Sequence, residues 1–385
     1  LERNVRAWLG SAPETTGERL NFMATAEDRV ERSLQALGHY SADIRLDLQR
    51  TEPTWRLDIT IDAGDPVVIG AVDIRLLGEA AQDEEFLALL ESPPLAPGDT
   101  LHHGRYDQFR RSLLSTGQRR GFFGGKLTES RVAVDVTAGT ANIHLHYDSG
   151  SRYYFGALRY DDAMITSAQL EALRTFQRGD PFELALLQQF QANLQRTRYY
   201  SSVILRPRID EAEAGEVPLS LALSPVSRHS FSVGLGYSTD VEERISVTWR
   251  TPRINRAGHS QESRLQWSPV NPGGRITYNI PLTHPLNDLL QLTARWEDNE
   301  FGDLDSQQTE FGVRREMRSD EWVRGFSLRS LNERWDVLDQ TRENDYLLPG
   351  ITLSRRHRRG PLVDPSHGFS QFYQLEGGSE QAGSD

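Results

Sequence analysis

The chain of 385 residues contains no cysteine, which removes disulfides, thiol nucleophiles and thiolate metal sites together. It has no apolar run of about 18 residues, and so no helix suited to span a bilayer. That absence bears on helices only. The hydrophobic share is 37%, low for one large core. It suits several small cores, or a membrane β-barrel in which only alternate strand residues need be apolar. Positive charge is short as well. A net charge of -12 argues against a nucleic-acid binder, which needs clustered Lys and Arg for phosphates. There is no phosphate loop and no serine in a nucleophile-elbow setting. The opening LERNVRAWLG lacks the basic stretch and apolar run of a signal peptide. Val5, Trp8 and Leu9 stand at helical spacing instead; either a signal was removed or the sequence starts mid-domain, and the second reading is favoured.

What is present is a repeat. Ile61-Asp62-Ala63-Gly64 matches Tyr147-Asp148-Ser149-Gly150, and Ile69-Gly70-Ala71-Val72 matches Phe155-Gly156-Ala157-Leu158, both at an offset of 86 residues. Two blocks in one register suggest a string of small domains. After each Gly-Ala strand comes an amphipathic helix, through Phe86, Leu89 and Leu90 in one copy and Leu170, Leu173 and Phe176 in the other. Pro97-Gly98-Asp99 then pairs with Arg178-Gly179-Asp180 as a turn before a second helix. The second helices carry Tyr106, Phe109 and Leu113, then Leu187, Phe190 and Leu194. Each runs into a basic-aromatic step, RRGFF at 119–123 and RTRYY at 196–200, followed by two alternating strands. The unit reads strand-helix-helix-strand-strand. An earlier, incomplete copy has a helix through Val30 and Leu34, the step Gly38-His39-Tyr40 and strands at 44–48 and 55–61. Its first strand is missing.

A tandem βααββ unit with a Gly-aromatic step after its second helix resembles the POTRA domain. Three copies, with DSGSRYYFG joining the second to the third and GLGYSTD following, resemble the BamA/TamA barrel-assembly superfamily. The expected fold class is therefore α+β tandem POTRA domains followed by a transmembrane antiparallel β-barrel. The expected bounds are 1–64, 65–150 and 151–226 for the three POTRA-like domains and 227–385 for the barrel portion.

The second half carries its own signal. After Pro225 helical periodicity stops, and runs of about ten residues alternate apolar with polar side chains. Phe231, Val233, Leu235 and Tyr237 share one face against Ser232, Gly234, Gly236 and Ser238. The same holds for Ile276 to Leu282 and Leu290 to Trp296, for Phe326 with Leu328, Ile351 with Leu353 and Phe369 with Tyr373. Turn signals fall at 271–274, 284–287, Gly302-Asp303 and Ser319-Asp320. A soluble sandwich alternates in the same way; the POTRA-like units ahead favour the barrel. About nine strands fit this spacing, roughly half of what the family's barrels carry. An open half-barrel leaves unpaired edges in lipid, so the chain reads as a piece truncated at both ends.

Candidate chemistry is sparse. His144 and His146 share a strand face and could hold a metal, but no third ligand is apparent; a solvated strand face is the plainer reading. His102-His103 gets the same reading. Arg178-Gly179-Asp180 spells an adhesion tripeptide, yet its counterpart marks a turn. The run from Arg355 to Arg359 could meet acidic lipid headgroups; a charged turn beyond a strand end is the plainer reading. No catalytic residue, cofactor or metal is expected, and the reading is non-enzymatic.

The family resemblance implies an outer-membrane insertase that assists assembly of autotransporters and other barrel proteins. Its lateral gate would use the first barrel strand, with Phe231, Val233, Gly234, Leu235, Gly236 and Tyr237. Asp148, Gly150, Tyr154 and Gly156 mark the expected seam between the second and third POTRA-like domains. Implied partners are unfolded client proteins, outer-membrane lipid and an inner-membrane-anchored protein of the TamB kind, with the POTRA domains in the periplasm. Two alternatives stay open: a two-partner-secretion pore, whose family carries two POTRA domains rather than three, and a soluble periplasmic scaffold.

Overall fold

The computed structural model describes residues 1–51, 54–239, 242–301, 304–319, 321–337, 340–360 and 366–380. The expected turn residues Gly302, Asp303 and Asp320, and Asp240 of the GLGYSTD stretch, lie outside them. The chain divides into two compact units. One comprises Leu1–Gly156, Arg178–Ala185 and Ile209–Val217, the other Ala157–Gln177, Leu186–Arg208 and Pro218–Asp385.

The chain opens on α1 (Glu2–Leu9) and α2 (Thr16–Gln35), then the antiparallel pair β1 (Asp43–Thr51) and β2 (Thr54–Asp62). Thr15 starts α2 with a capping box. Its hydroxyl accepts from the Glu18 backbone N–H at 3.2 Å, and the Glu18 carboxylate accepts in return from the Thr15 N–H at 3.1 Å. Val5, Val30 and Leu34 are buried, with Ile44, Ile59 and Ile61 packed against them.

The next segment completes the expected pattern: β3 (Val68–Leu77), α3 (Glu84–Glu91), α4 (His103–Arg119), β4 (Lys126–Asp135) and β5 (Thr140–Asp148). The sheet order is β3-β5-β4, with β3 parallel and β4 antiparallel to the central β5. Every second residue of β5 is buried: Ala141, Ile143, Leu145 and Tyr147 join Phe86, Phe109, Leu113 and Phe122 in one core. Each large side chain so buried contributes on the order of 1.5–3 kcal/mol.

The element order then recurs as β6 (Tyr154–Arg159), α5 (Ser167–Leu173), α6 (Leu184–Arg196), β7 (Tyr200–Pro207) and β8 (Glu216–Pro225), with strand order β6-β8-β7. The sequence reading carried the first of these helices through Phe176. It stops at Leu173, because Arg174 turns extended (φ -73°, ψ 138°). Phe176 is buried all the same, edge-on to Phe190.

The remainder is one nine-stranded sheet in chain order. Its strands are β9 (Ser230–Ser238), β10 (Glu242–Thr251), β11 (Ser260–Trp267), β12 (Gly273–Pro281), β13 (Asp288–Phe301), β14 (Leu304–Ser319), β15 (Trp322–Val337), β16 (Gln340–Arg359) and β17 (His367–Glu376). All neighbours are antiparallel. The registers carry a single face across it: Phe231 lies opposite Trp249, Val247 opposite Leu265, Tyr278 opposite Leu292, Val313 opposite Leu328, and Ile351 opposite Leu375. That face is apolar and exposed. The reverse face carries ion pairs and polar contacts, among them Arg329 with Glu310 at 3.0 Å and the Arg314 guanidinium donating to Thr352 at 2.9 Å. A sandwich would cover its apolar face with a second sheet; among the described residues none lies over this one. A large exposed apolar face with polar lining behind it is barrel patterning. Among the described residues β9 and β17 each have one sheet neighbour, and the sheet is open.

Candidate functional site

Three places concentrate unusual local structure. The first is the stretch from Asp148 to Gly156. The Asp148 carboxylate accepts from the Gly150 N–H at 3.0 Å, an Asx turn that lets Gly150 adopt φ +61°. Ser149 is fully buried, and its hydroxyl oxygen accepts from the Ala80 N–H at 3.0 Å. The Tyr153 N–H donates to the Gly121 carbonyl and the Phe182 N–H to the Tyr153 carbonyl, both at 2.9 Å. Gly121 has φ +82°, and a Cβ there would stand 2.8 Å from the Phe182 Cβ. So the RRGFF step packs directly on the start of the next repeat. Tyr154 contributes through its backbone, its N–H donating to the Gly215 carbonyl at 2.8 Å while the ring stays exposed. Gly156 is buried within β6.

Charge reinforces these contacts. Arg120 pairs with Asp83 at 2.9 Å and with Glu183 at 2.8 Å. Burial opposes its charge, but Asp83, Glu183 and Glu85 outweigh that and raise its pKa. The Arg152 guanidinium donates to the Arg120 carbonyl at 2.9 Å and lies over the Phe122 ring. Sequence reasoning passed over Arg120, Arg152 and Glu183; an arginine ahead of each aromatic cluster, Arg120 before Gly121-Phe122-Phe123 and Arg152 before Tyr153-Tyr154, was the available signal.

The second place is β9. Phe231, Val233, Leu235 and Tyr237 are 67%, 69%, 79% and 73% exposed, and one backbone edge of the strand is unpaired among the described residues. On the reverse face Gly234 lies opposite Ser246 and Gly236 opposite Arg244. A Cβ at Gly234 would come within 2.7 Å of the Ser246 hydroxyl, whereas Gly236 has only Arg244 nearby, at 3.8 Å. The strand is anchored where it starts: Phe231 stacks on Trp249, whose indole donates to His229 at 3.2 Å.

The third place escaped sequence reasoning entirely. The turn between β10 and β11 is gripped by residues of α5 and the segments flanking it and β7. The Tyr199 hydroxyl donates to the Gly258 carbonyl at 2.9 Å, and the Gln169 amide to the Ala257 carbonyl at 2.6 Å. Thr166 N–H donates to the Arg256 carbonyl at 3.0 Å, Arg256 pairs with Asp162 at 2.9 Å, and Arg253 donates to the Met164 carbonyl at 2.9 Å. Burial pushes the Tyr199 and Tyr200 hydroxyls up to about 12. Both tyrosines belong to the RTRYY step, which has exchanged phenylalanines for rings with a polar tip.

The remaining candidates resolve locally. His146 lies between Asp73, at 2.9 Å, and Glu129, at 3.2 Å, on the outer face of the β3-β5-β4 sheet. Among the described residues there is no group of three or more His, Asp or Glu arranged to hold a metal. His102 stands at the N-cap position of α4 without a side-chain capping bond, and His103 bonds the Tyr40 hydroxyl at 2.5 Å. Arg178 pairs with Glu216 at 2.8 Å, and Gly179, at φ +89°, turns the chain ahead of α6. One expectation is corrected: residues 355–359 do not form a charged turn but are the end of β16. Their backbones pair with β17, Arg355 with Gln371 and Arg359 with His367, so the charges alternate between the two faces of the sheet.

Residues 1–63 match the protein family described as POTRA domain TamA domain 1. Among solved structures, BamA from Haemophilus ducreyi lacking POTRA domains 1-3 superposes with a TM-score of 0.63 at 13% identity. The match covers 83% of this chain, which spans 64% of that one. CdiB from Acinetobacter baumannii matches over 95% of this chain and 72% of its own, with a TM-score of 0.43 at 13% identity. Only the BamA superposition is close enough to speak to the fold, and at its identity it speaks to the fold alone.

Proposed function

We propose that this chain, which has the POTRA-plus-barrel architecture of BamA/TamA-type proteins, is an outer-membrane component that helps client polypeptides into or across the membrane. In this reading residues 227–385 lie in the outer membrane, and the POTRA-like domains 1–64, 65–150 and 151–226 lie in the periplasm. The observation that carries it is the β9 edge: a strand with an outward apolar face, with Gly234 and Gly236 on its reverse face and one sheet neighbour among the described residues. Such an edge accepts a further antiparallel strand by backbone pairing. β9 is then one side of a lateral gate at which clients add strands. The seam from Asp148 to Gly156 joins the second and third domains. The first domain is the docking point for an inner-membrane-anchored protein of the TamB kind.

The absence of cysteine makes the test clean. A single cysteine at Ser232 or Gly236, in protein from outer membranes, is expected to cross-link to barrel-forming clients, whereas one at Thr248, on β10, is not. Equal cross-linking from both strands, or none from β9, rejects the gate. Release of the protein from membranes by alkaline carbonate rejects the barrel itself.

A further inference from the structure

The apolar face of the nine-stranded sheet is interrupted at one end by arginine. Strands alternate in direction, so β16 finishes and β15 and β17 begin at the end where β9 starts. This is also the end at which residues of α5 and the segments flanking it grip the turn between β10 and β11. There, Trp322 lies opposite Arg355 and Arg324 opposite Leu353, all on the apolar face. The Arg355 guanidinium lies over the rings of both Trp322 and Phe369, at 5.3 and 5.2 Å. Its Nε and Nη2 bond Glu321 at 3.0 Å each, leaving Nη1 without a partner among the described residues. Arg324 is exposed and has no ion pair among the described residues.

A lipid-facing arginine is costly at the bilayer midplane and nearly free of penalty at its interface. An arginine here, flanked by aromatic rings, therefore marks the depth at which the apolar band meets the headgroups. At that depth its natural counter-charge is a phosphodiester, which a guanidinium engages with two parallel hydrogen bonds. We infer that Arg324 and Arg355, on either side of Trp322, form a site for the headgroup of an anionic phospholipid in the leaflet nearest the third α/β repeat. The site rests on the reading of residues 227–385 as membrane-embedded. Glu321 orients Arg355 rather than cancelling the site, since Arg324 has no ion pair among the described residues. Lipid held there sits on β15 and β16, on the outer wall and outside the polar lining.

The test uses protein from outer membranes in nanodiscs of phosphatidylethanolamine with or without phosphatidylglycerol, with retained lipid identified by native mass spectrometry. Retention of phosphatidylglycerol over phosphatidylethanolamine is expected, with Arg324→Gln reducing that preference roughly fivefold. Arg356→Gln removes the same charge at the same strand end on the opposite face, and should leave the preference intact. The assignment is overturned if no anionic preference exists, if Arg356→Gln reduces it equally, or if inorganic phosphate displaces the lipid. Protein that stays outside the bilayer overturns instead the membrane reading beneath it.

Discussion

His103 illustrates how one side chain ties neighbouring repeats. It is half-buried at the start of α4, and its Nε2 meets the Tyr40 hydroxyl 63 residues earlier in sequence. Burial lowers its pKa, Asp107 works in the opposite direction, and His102 adds slightly to the lowering. The neutral ring accepts the tyrosine proton; a ring protonated at Nε2 cannot. With the folded pKa below the unfolded one, the unfolded chain binds more protons in the interval between them. This contribution to stability is therefore complete above the unfolded value of about 6.5 and is lost as pH falls toward the folded value. The urea midpoint of the α/β repeats should thus drop as pH falls below the unfolded value of about 6.5, and His103→Gln should remove part of that drop. A variant whose midpoint falls just as far would assign the effect to other groups.

At the scale of the element, β9 is weak for reasons that can be separated. Glycine in a strand interior costs roughly 0.5–1 kcal/mol relative to alanine, yet the two glycines are not equivalent. Gly236 has room for a methyl group, whereas one at Gly234 meets the Ser246 hydroxyl at 2.7 Å. Gly236→Ala should therefore stabilise pairing of β9 with β10 by about 0.5–1 kcal/mol, and Gly234→Ala should gain less or lose. Unfolding by urea in detergent, followed by tryptophan emission, reads the difference, because Trp249 stacks on Phe231. If strand adhesion limits client exchange at this edge, Gly236→Ala should also slow cross-linking from β9. Equal gains from both substitutions would mean that Ser246 does not constrain the strand.

At the scale of the whole chain, what was legible in the sequence was periodic and what was hidden was pairwise. The 86-residue offset, the βααββ order and the alternation after Pro225 are repeats of pattern, and pattern survives without knowledge of contacts. The contacts that fasten the repeats join residues far apart: Ser149 to Ala80 across 69 positions, Gln169 to Ala257 across 88, Arg253 to Met164 across 89. No local signal marks such partners, although the tyrosines of RTRYY, against the phenylalanines of RRGFF, hinted that polar tips were needed. The same blindness placed Arg355 to Arg359 in a turn, because dense charge masks alternation until the register with β17 is known. The hidden contacts carry the most direct mechanical consequence. The turn from Thr251 to Ser260 contains two trypsin sites, Arg253 and Arg256, each held through a carbonyl or a carboxylate. Gly258, at φ +73°, is pressed so closely on Tyr199 that a Cβ would stand 2.6 Å from its hydroxyl. The native turn should therefore resist trypsin in membrane preparations. Combining Tyr199→Phe with Gln169→Ala removes the donors to Gly258 and Ala257 at a cost of about 1–3 kcal/mol for each carbonyl left unpaired. It should open both sites to cleavage while the strands of the sheet stay protected. Cleavage of the native turn at the same rate would mean that the third repeat does not hold the barrel at this point.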